Sequence, residues 1–270
     1  MSRTCGACTY SYLWGLSLED TVHRLADIGF TYFELMATPP HCWPQDWSLA
    51  SRATFRRLCG SRGVRVSSVN PTYLDLNLAS MNPGIRKETI RQLRETVRLA
   101  HDLEAGIVLV VAGRKHPLLA PKPSHLWQLV REGIEALLPE CDRLGITLGL
   151  ENGWTVFDRA EQLTRLCREI SHPKLRVAYD VANAFMVESP LEGLDLVSAD
   201  LALLHLSDTN TASWGHDRIG AGGIDFAAVT EKVMQIGYAG PTILEIVDPH
   251  TPDESNRISL ERLQALGWSA

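Results

Sequence analysis

The chain has 270 residues, 45% hydrophobic and 21% charged, a composition typical of a soluble globular protein. Its formal net charge is −6 and its pI is near 5.8, so the composition favours neither a nucleic acid nor an anionic membrane as partner. The amino terminus shows no apolar segment of the signal-peptide type, and the longest apolar run, Ile107–Ala112, is too short to cross a bilayer. We therefore expect a cytoplasmic protein whose six cysteines are reduced.

One local pattern recurs along the chain: an amphipathic helix, a turn that contains glycine, and then an apolar strand. Glycine at such a joint allows the helix to end in the left-handed conformation before a short connection. Repeated joints of this kind predict consecutive βα units, and hence a parallel sheet with helices outside it. The pattern occurs at 25–30, 59–64, 103–107, 143–146 and 235–238.

In chain order, the patterns predict eight strands that alternate with eight helices. This alternation, the chain length and the lack of a linker predict a single (β/α)8 TIM-barrel domain over 1–270, with its active site at the C-terminal ends of the strands. The predicted strands are 4–10, 31–36, 64–69, 107–112, 146–151, 175–180, 201–206 and 242–247, and the predicted helices are 17–28, 48–61, 84–103, 124–143, 158–170, 191–199, 225–236 and 254–266.

An open, doubly wound sheet that binds a nucleotide is the alternative fold. It would require G-x-G-x-x-G directly after a strand and at the start of a helix. The candidate, Gly220-Ala221-Gly222-Gly223, lies in a late loop and lacks this spacing. The barrel is therefore the preferred prediction.

Four of the predicted strands carry a potential metal ligand at or near the carboxyl end: Glu151, Asp180, His205 and Glu245. Taken singly, each could be a helix cap, a loop hydrogen-bonding group or a core residue. These strands are neighbours in a closed barrel, however, so the four side chains should converge on one mouth, where a buried charge needs a partner. Three carboxylates and one imidazole suit a divalent cation, with Mn²⁺ preferred and Co²⁺, Mg²⁺ or Zn²⁺ as alternatives.

Five segments resemble the motifs of the xylose isomerase-like TIM barrels. They are E-N-G-W (151–154), Y-D-V-A-N (179–183), L-H-L-S-D (204–208), H-D-R-I-G-A-G-G-I-D-F (216–226) and G-Y-A-G-P-T-I-L-E (237–245). This superfamily contains sugar and sugar-phosphate isomerases, ketose 3-epimerases, inosose and dehydroshikimate dehydratases, and type IV apurinic-site endonucleases. The resemblance spans residues 145 to 247 and is more specific for the superfamily than for any one member.

The resemblance implies that Glu151, Asp180, His205 and Glu245 bind the metal, and that the two glutamates also form an acid/base pair. The implied activity is isomerisation or epimerisation of a sugar or sugar phosphate, with proton transfer through a metal-bound enediolate. A dehydratase acting on an inosose- or dehydroshikimate-like cyclic ketone would use the same ligands and is the alternative. An endonuclease is less favoured, because it would need additional histidines.

Residues around the predicted mouth are candidates for substrate binding. Asn183 stands where many members of the superfamily have a histidine, and it could hydrogen-bond a substrate hydroxyl. Arg218 could bind a phosphate or carboxylate or form a loop salt bridge, and Glu34 could meet a sugar hydroxyl or pair with a neighbouring strand-end base. The full set is Asn183, His216, Arg218, Glu34, Trp154 and Tyr10. A homodimer or homotetramer is compatible with the resemblance.

Overall fold

The computed structural model describes residues 3–71, 75–153 and 156–270. In these residues, eight parallel strands form a closed barrel, and helices occupy the connections between them, which confirms the predicted (β/α)8 fold. In chain order, the described strands are β1 (Arg3–Thr4), β2 (Gly6–Cys8), β3 (Tyr32–Ala37), β4 (Arg65–Pro71), β5 (Ile107–Val111), β6 (Thr147–Glu151), β7 (Leu175–Asp180), β8 (Leu201–Leu206), β9 (Asp208–Asn210), β10 (Ser213–Asp217), β11 (Thr242–Leu244) and β12 (Trp268–Ser269).

The barrel closes where β11 pairs with both β2 and β8, so its strand order is β11-β2-β3-β4-β5-β6-β7-β8. The described helices are α1 (Leu18–Ile28), α2 (Leu49–Ser61), α3 (Pro83–Asp102), α4 (Pro123–Leu144), α5 (Ala160–Ile170), α6 (Val181–Phe185), α7 (Pro190–Val197), α8 (Phe226–Gln235) and α9 (Pro252–Ala265). None of them has both the length and the apolar character that a membrane crossing requires.

The helix boundaries follow from capping residues that the sequence displays. Ser17 is the N-cap of α1. Its side chain accepts a hydrogen bond from the Asp20 amide, so one amide of the first turn that has no partner within the helix gains one. Gly145 ends α4 with φ of +74°, the left-handed conformation expected at a helix–strand joint. These local signals determine where helices and strands alternate along the chain, and the barrel is built from that alternation.

Two apolar clusters hold the barrel together. The larger one lies between the strands and the helices, and the smaller one includes Cys8, Tyr32, Leu109, Leu203 and Ile243. Because side chains alternate between the two faces of a strand, Leu203 and Ile243 share the inward face with the residues two positions further on, His205 and Glu245. The inner cluster therefore forms an apolar floor beneath the polar groups at the strand ends.

Three features differ from the sequence-based prediction. The first predicted strand, 4–10, is shorter, and Tyr10 begins a 3-10 helix over Tyr10–Tyr12. The last barrel strand ends at Leu244 rather than at 247, so Glu245 directly follows β11. An antiparallel hairpin of β9 and β10 follows β8, in a polar segment without the apolar alternation that would have predicted it.

Candidate metal centre

The structure brings together the four residues that the sequence placed at the mouth. Glu151 ends β6, Asp180 ends β7, His205 lies in β8 and pairs with Asp180, and Glu245 follows β11. One ligand atom from each residue lies within 4.8 Å of those from the other three, and none of the four is more than 6% exposed. They converge because neighbouring parallel strands end at the same rim of the barrel.

The imidazole of His205 lies at the centre of this group. Its Nδ1 lies 2.8 Å from Oε1 of Glu151, 3.4 Å from Oε2 of Glu245 and 3.8 Å from Oδ2 of Asp180. Its Nε2 faces the opposite way, 3.2 Å from Oε2 of Glu34. One ring nitrogen thus faces the three candidate ligands, and the other faces a carboxylate behind them, as in a carboxylate–histidine–metal triad.

The electrostatics of the cluster match a cation-binding site. Burial raises the pKa of Glu151, and burial together with the nearby Glu245 carboxylate raises the pKa of Asp180 to about 6. Burial alone would lower the pKa of His205, but the carboxylates of Glu34, Glu245 and Glu151 raise it well above its usual value. The site holds more buried negative charge than its one imidazole can balance.

A buried acceptor without a hydrogen-bond partner among the described residues also indicates a cation-binding site. Oδ1 of Asp180 accepts a hydrogen bond from the Asn183 amide at 2.6 Å, whereas Oδ2 is buried and has no hydrogen-bond partner among the described residues. An unsatisfied buried carboxylate oxygen is costly unless it binds a cation. This oxygen, two further carboxylates and one imidazole nitrogen fit a divalent metal ion.

Glu34 supports His205 from behind and does not open onto the mouth. It is fully buried, and its carboxylate accepts hydrogen bonds from Ser68 Oγ at 2.8 Å and from Asn70 Nδ2 at 2.9 Å. Asn70 Nδ2 also lies 3.2 Å from Oε1 of Glu245, which links the two carboxylates. These contacts match the predicted pairing with a neighbouring strand-end group, and the binding of a sugar hydroxyl by Glu34 stays a prediction.

Ser68 and Asn70 were missed by the sequence analysis. The signal was present, because polar residues interrupt an otherwise apolar strand in V-R-V-S-S-V-N (64–70). A strand that is buried on both faces tolerates such residues only where they find partners. Their partner, Glu34, lies on the preceding strand, so only the paired structure reveals it.

Asn183 makes hydrogen bonds with protein groups at both ends of its side-chain amide. Its Nδ2 donates to the Asn152 carbonyl at 3.1 Å, and its Oδ1 accepts from Nε1 of Trp214 at 2.8 Å. The side chain of Asn152 in turn makes two hydrogen bonds with the backbone of Asp180. Both ends of the Asn183 amide therefore have a protein partner, so this side chain holds other residues in place. One N–H and one lone pair of the amide remain, and its contact with a substrate hydroxyl stays a prediction.

His216 is a substrate-binding candidate whose ring contacts two of the four cluster residues. Its Nδ1 lies 2.9 Å from Ser207 Oγ, 3.3 Å from Oε2 of Glu245 and 3.7 Å from Oδ2 of Asp180. Tyr10 lies near the same edge, where burial and the Glu245 carboxylate raise the pKa of its hydroxyl. The structure therefore brings both side chains close to Glu245, and their binding of a substrate stays a prediction.

Two substrate-binding candidates remain, Arg218 and Trp154. Arg218 is exposed, and the salt bridges among the described residues do not include it, so the predicted loop salt bridge is not formed with any of them. Trp154 lies outside the residues that the structure describes.

The loop after β8 is organised around the buried carboxylate of Asp208. Its Oδ2 accepts hydrogen bonds from the amides of Gly220 and Gly222, and its Oδ1 accepts from those of Thr209 and Ile224. A carboxylate that accepts several backbone hydrogen bonds holds a loop in one conformation. This conformation positions the hairpin that carries His216.

Substitution of Gly222 by alanine is expected to disturb the site without unfolding the barrel. A Cβ atom there would lie 2.1 Å from the Thr209 carbonyl oxygen and 2.5 Å from Oδ1 of Asp208, so the loop must shift. Because small misplacements at an active site are costly, we expect kcat/KM to fall by about 10- to 100-fold with little change in the circular dichroism spectrum. At the adjacent Gly223, the nearest atom would be 3.6 Å from the new Cβ, so Gly223→Ala is the matched control. Equal activity of the two variants would contradict the assigned role of the loop.

A family model described as the xylose isomerase-like TIM barrel matches residues 22–266. The chain belongs to this family. The match spans most of the chain and includes β6 to β11, the strands that carry the candidate metal centre.

Individual relatives of this family member are distant. An uncharacterized protein of Methanocaldococcus jannaschii is 27% identical over 203 residues, which cover 73% of this chain and 69% of the relative. Fructoselysine 3-epimerase of Shigella flexneri is 21% identical over 260 residues, which cover 93% and 94% of the two chains. A solved D-tagatose 3-epimerase-like protein superposes with a TM-score of 0.85 at 24% identity and covers 98% of both chains, which supports the fold.

Proposed function

We propose that this protein is a divalent-metal-dependent sugar epimerase that moves a proton at the carbon next to a ketose carbonyl. The sequence-based prediction of an isomerase or epimerase is confirmed at the level of enzyme class by relatives such as fructoselysine 3-epimerase. The finer proposal depends on one observation, which is that Glu151 and Glu245 approach Nδ1 of His205 from different strands, at 2.8 and 3.4 Å. Two strands, β7 and β8, separate them in the barrel.

This arrangement supports transfer of a proton from one face of the substrate and return of a proton to the other. A cation held by Glu151, Asp180, His205 and Glu245 would polarise the substrate carbonyl and lower the pKa of the neighbouring C–H bond. One glutamate then accepts the proton from that carbon, and the other donates a proton from the opposite side, which inverts the carbon.

Other residues keep the acid/base pair in position. Asn70 donates a hydrogen bond to Oε1 of Glu245, and His216 lies 3.3 Å from Oε2 of the same carboxylate. Glu34 holds the far side of the His205 ring. Each of these contacts restricts the rotamer of a group that would touch metal or substrate, which reduces the reorganisation needed during proton transfer.

The test is solvent exchange with a panel of ketoses that includes fructoselysine and D-tagatose, both free and phosphorylated where such pairs exist. Phosphorylated members are included because the Arg218 guanidinium is exposed at the mouth-side loop. In D₂O with Mn²⁺, an epimerase should form the epimer and introduce one deuterium at the inverted carbon. Formation of an absorbing enone or diene would instead indicate the dehydratase, and lack of any exchange across the panel would count against the proposal.

A further inference from the structure

Trp214 is a large aromatic residue that remains 45% exposed beside the metal centre. It lies in β10, in the hairpin that follows β8, and its indole ring meets the ring of His216 edge-on at 5.4 Å between centroids. His216 is itself 3.3 Å from Glu245. Trp214 is therefore one side chain away from the candidate acid/base pair, with part of its surface open to solvent.

The orientation of this ring is fixed by its polar edge. Nε1 donates a hydrogen bond of 2.8 Å to Oδ1 of Asn183, and Nδ2 of Asn183 is bonded to the Asn152 carbonyl. Asn152 also bonds the backbone of Asp180 on both its donor and its acceptor sides. The indole is thus connected to the metal-centre strand through two buried amides, which hold it in one orientation.

The hairpin around Trp214 is also braced. Oδ1 of Asn210 accepts hydrogen bonds from the amides of Ala212 and Ser213, and Oγ1 of Thr209 accepts one from the amide of Gly215. A rigidly held aromatic ring with a satisfied N–H and a partly exposed surface provides an apolar contact at little entropic cost on binding.

We propose that Trp214, held by Asn183, is a specificity-determining residue that packs against the apolar C–H face of the substrate beyond its reacting carbons. This inference rests on the proposed function for the location of the reacting end. When the carbonyl end of a ketose lies at the metal centre, the rest of its chain extends towards the rim, where Trp214 lies. The preferred substrates are then ketoses of six or more carbons, whose distal part can cover the indole.

The bond between Asn183 and Trp214 explains why the histidine common in the superfamily can be replaced by Asn183 here. The Asn183 amide has a donor side and an acceptor side of fixed geometry, and each makes one bond, towards Asn152 and towards Trp214. The position thus supports a residue on the hairpin, and the indole provides a contact with the substrate.

The test compares Trp214→Ala and Trp214→Phe with the wild-type protein on D-tagatose, with six carbons, and erythrulose, with four. Binding is measured by isothermal titration calorimetry with Mn²⁺, and kcat and KM are measured separately. Trp214→Ala should weaken binding of D-tagatose about tenfold and raise its KM to the same extent, with kcat within about threefold and erythrulose unaffected. For Trp214→Phe, the affinity for D-tagatose should lie between that of the wild-type protein and that of Trp214→Ala, because phenylalanine keeps a ring but loses the bond to Asn183.

Trp127→Phe is the matched control, because Trp127 on α4 also donates its indole N–H, to Glu169, but lies among the outer helices. Equal losses for the two ketoses, unchanged D-tagatose binding in Trp214→Ala, or a Trp127→Phe effect of the same size would overturn the inference. If Trp214→Ala bound D-tagatose more weakly than the wild-type protein, but the wild-type protein epimerised neither ketose, the role of Trp214 would be supported and the proposed reaction would be rejected. If neither ketose bound to the wild-type protein, both proposals would fall.

Discussion

Replacement of Asp180 by asparagine is expected to weaken binding of Mn²⁺ by at least about 100-fold and to lower kcat by about 1,000-fold. The variant keeps the size of the side chain and an oxygen that can accept the hydrogen bond from the Asn183 amide. It removes the negative charge and replaces one carboxylate oxygen with an amide nitrogen, which cannot serve as a ligand. The oxygen expected to bind Mn²⁺ is Oδ2, which is buried and has no hydrogen-bond partner among the described residues.

Stability measurements separate this effect from misfolding. Without metal, Asp180→Asn should have a melting temperature equal to or above that of the wild-type protein, because one of several crowded buried carboxylates is neutralised. Addition of Mn²⁺ should raise the melting temperature of the wild-type protein but not that of the variant, since only a state that binds the ion is stabilised by it. Asp195→Asn is the control, because Asp195 is an exposed carboxylate on α7 that pairs with Lys232 far from the mouth. Wild-type-like Mn²⁺ affinity in Asp180→Asn would exclude Asp180 as a ligand.

Glutamine in place of Glu151 or Glu245 is expected to reduce epimerisation by about 100- to 10,000-fold, the usual effect of losing a general acid or base. The informative readout is proton exchange, measured by NMR in D₂O at saturating Mn²⁺. If the two glutamates act on opposite faces, each variant should still exchange the proton of one epimer, the epimer whose base remains, without converting it to the other. The two variants should therefore exchange opposite epimers.

Glu34→Gln provides the comparison within the same buried site. Glu34 contacts the far nitrogen of His205 at 3.2 Å and is shielded from the mouth by that ring, so its loss should act through the histidine. We expect metal affinity to fall by about 10- to 100-fold and turnover to recover at saturating metal, as for other groups that orient a ligand. If Glu151→Gln and Glu245→Gln also recovered at saturating Mn²⁺, both glutamates would be ligands only, and the proton-transfer proposal would be wrong.

Much of the fold could be predicted from the sequence because its signals are local. The predicted helix 17–28 corresponds to α1 at Leu18–Ile28, and the predicted strand 107–112 corresponds to β5 at Ile107–Val111. Capping residues, glycine joints and apolar periodicity each act within a few residues, so they can be read without knowledge of the partners. The length of the last strand was overestimated. The Glu245 amide still donates to the Leu206 carbonyl of β8, but the Val247 amide donates to the His216 carbonyl in the hairpin.

The sequence by itself determined the barrel and the convergence of Glu151, Asp180, His205 and Glu245, since parallel strands in a closed barrel must end at a common rim. Only the tertiary structure decided that Glu34 lies behind His205, and that Asn183 bonds both Asn152 and Trp214. Those roles depend on hydrogen bonds between residues that are 31 or more positions apart, and no local periodicity encodes such partners.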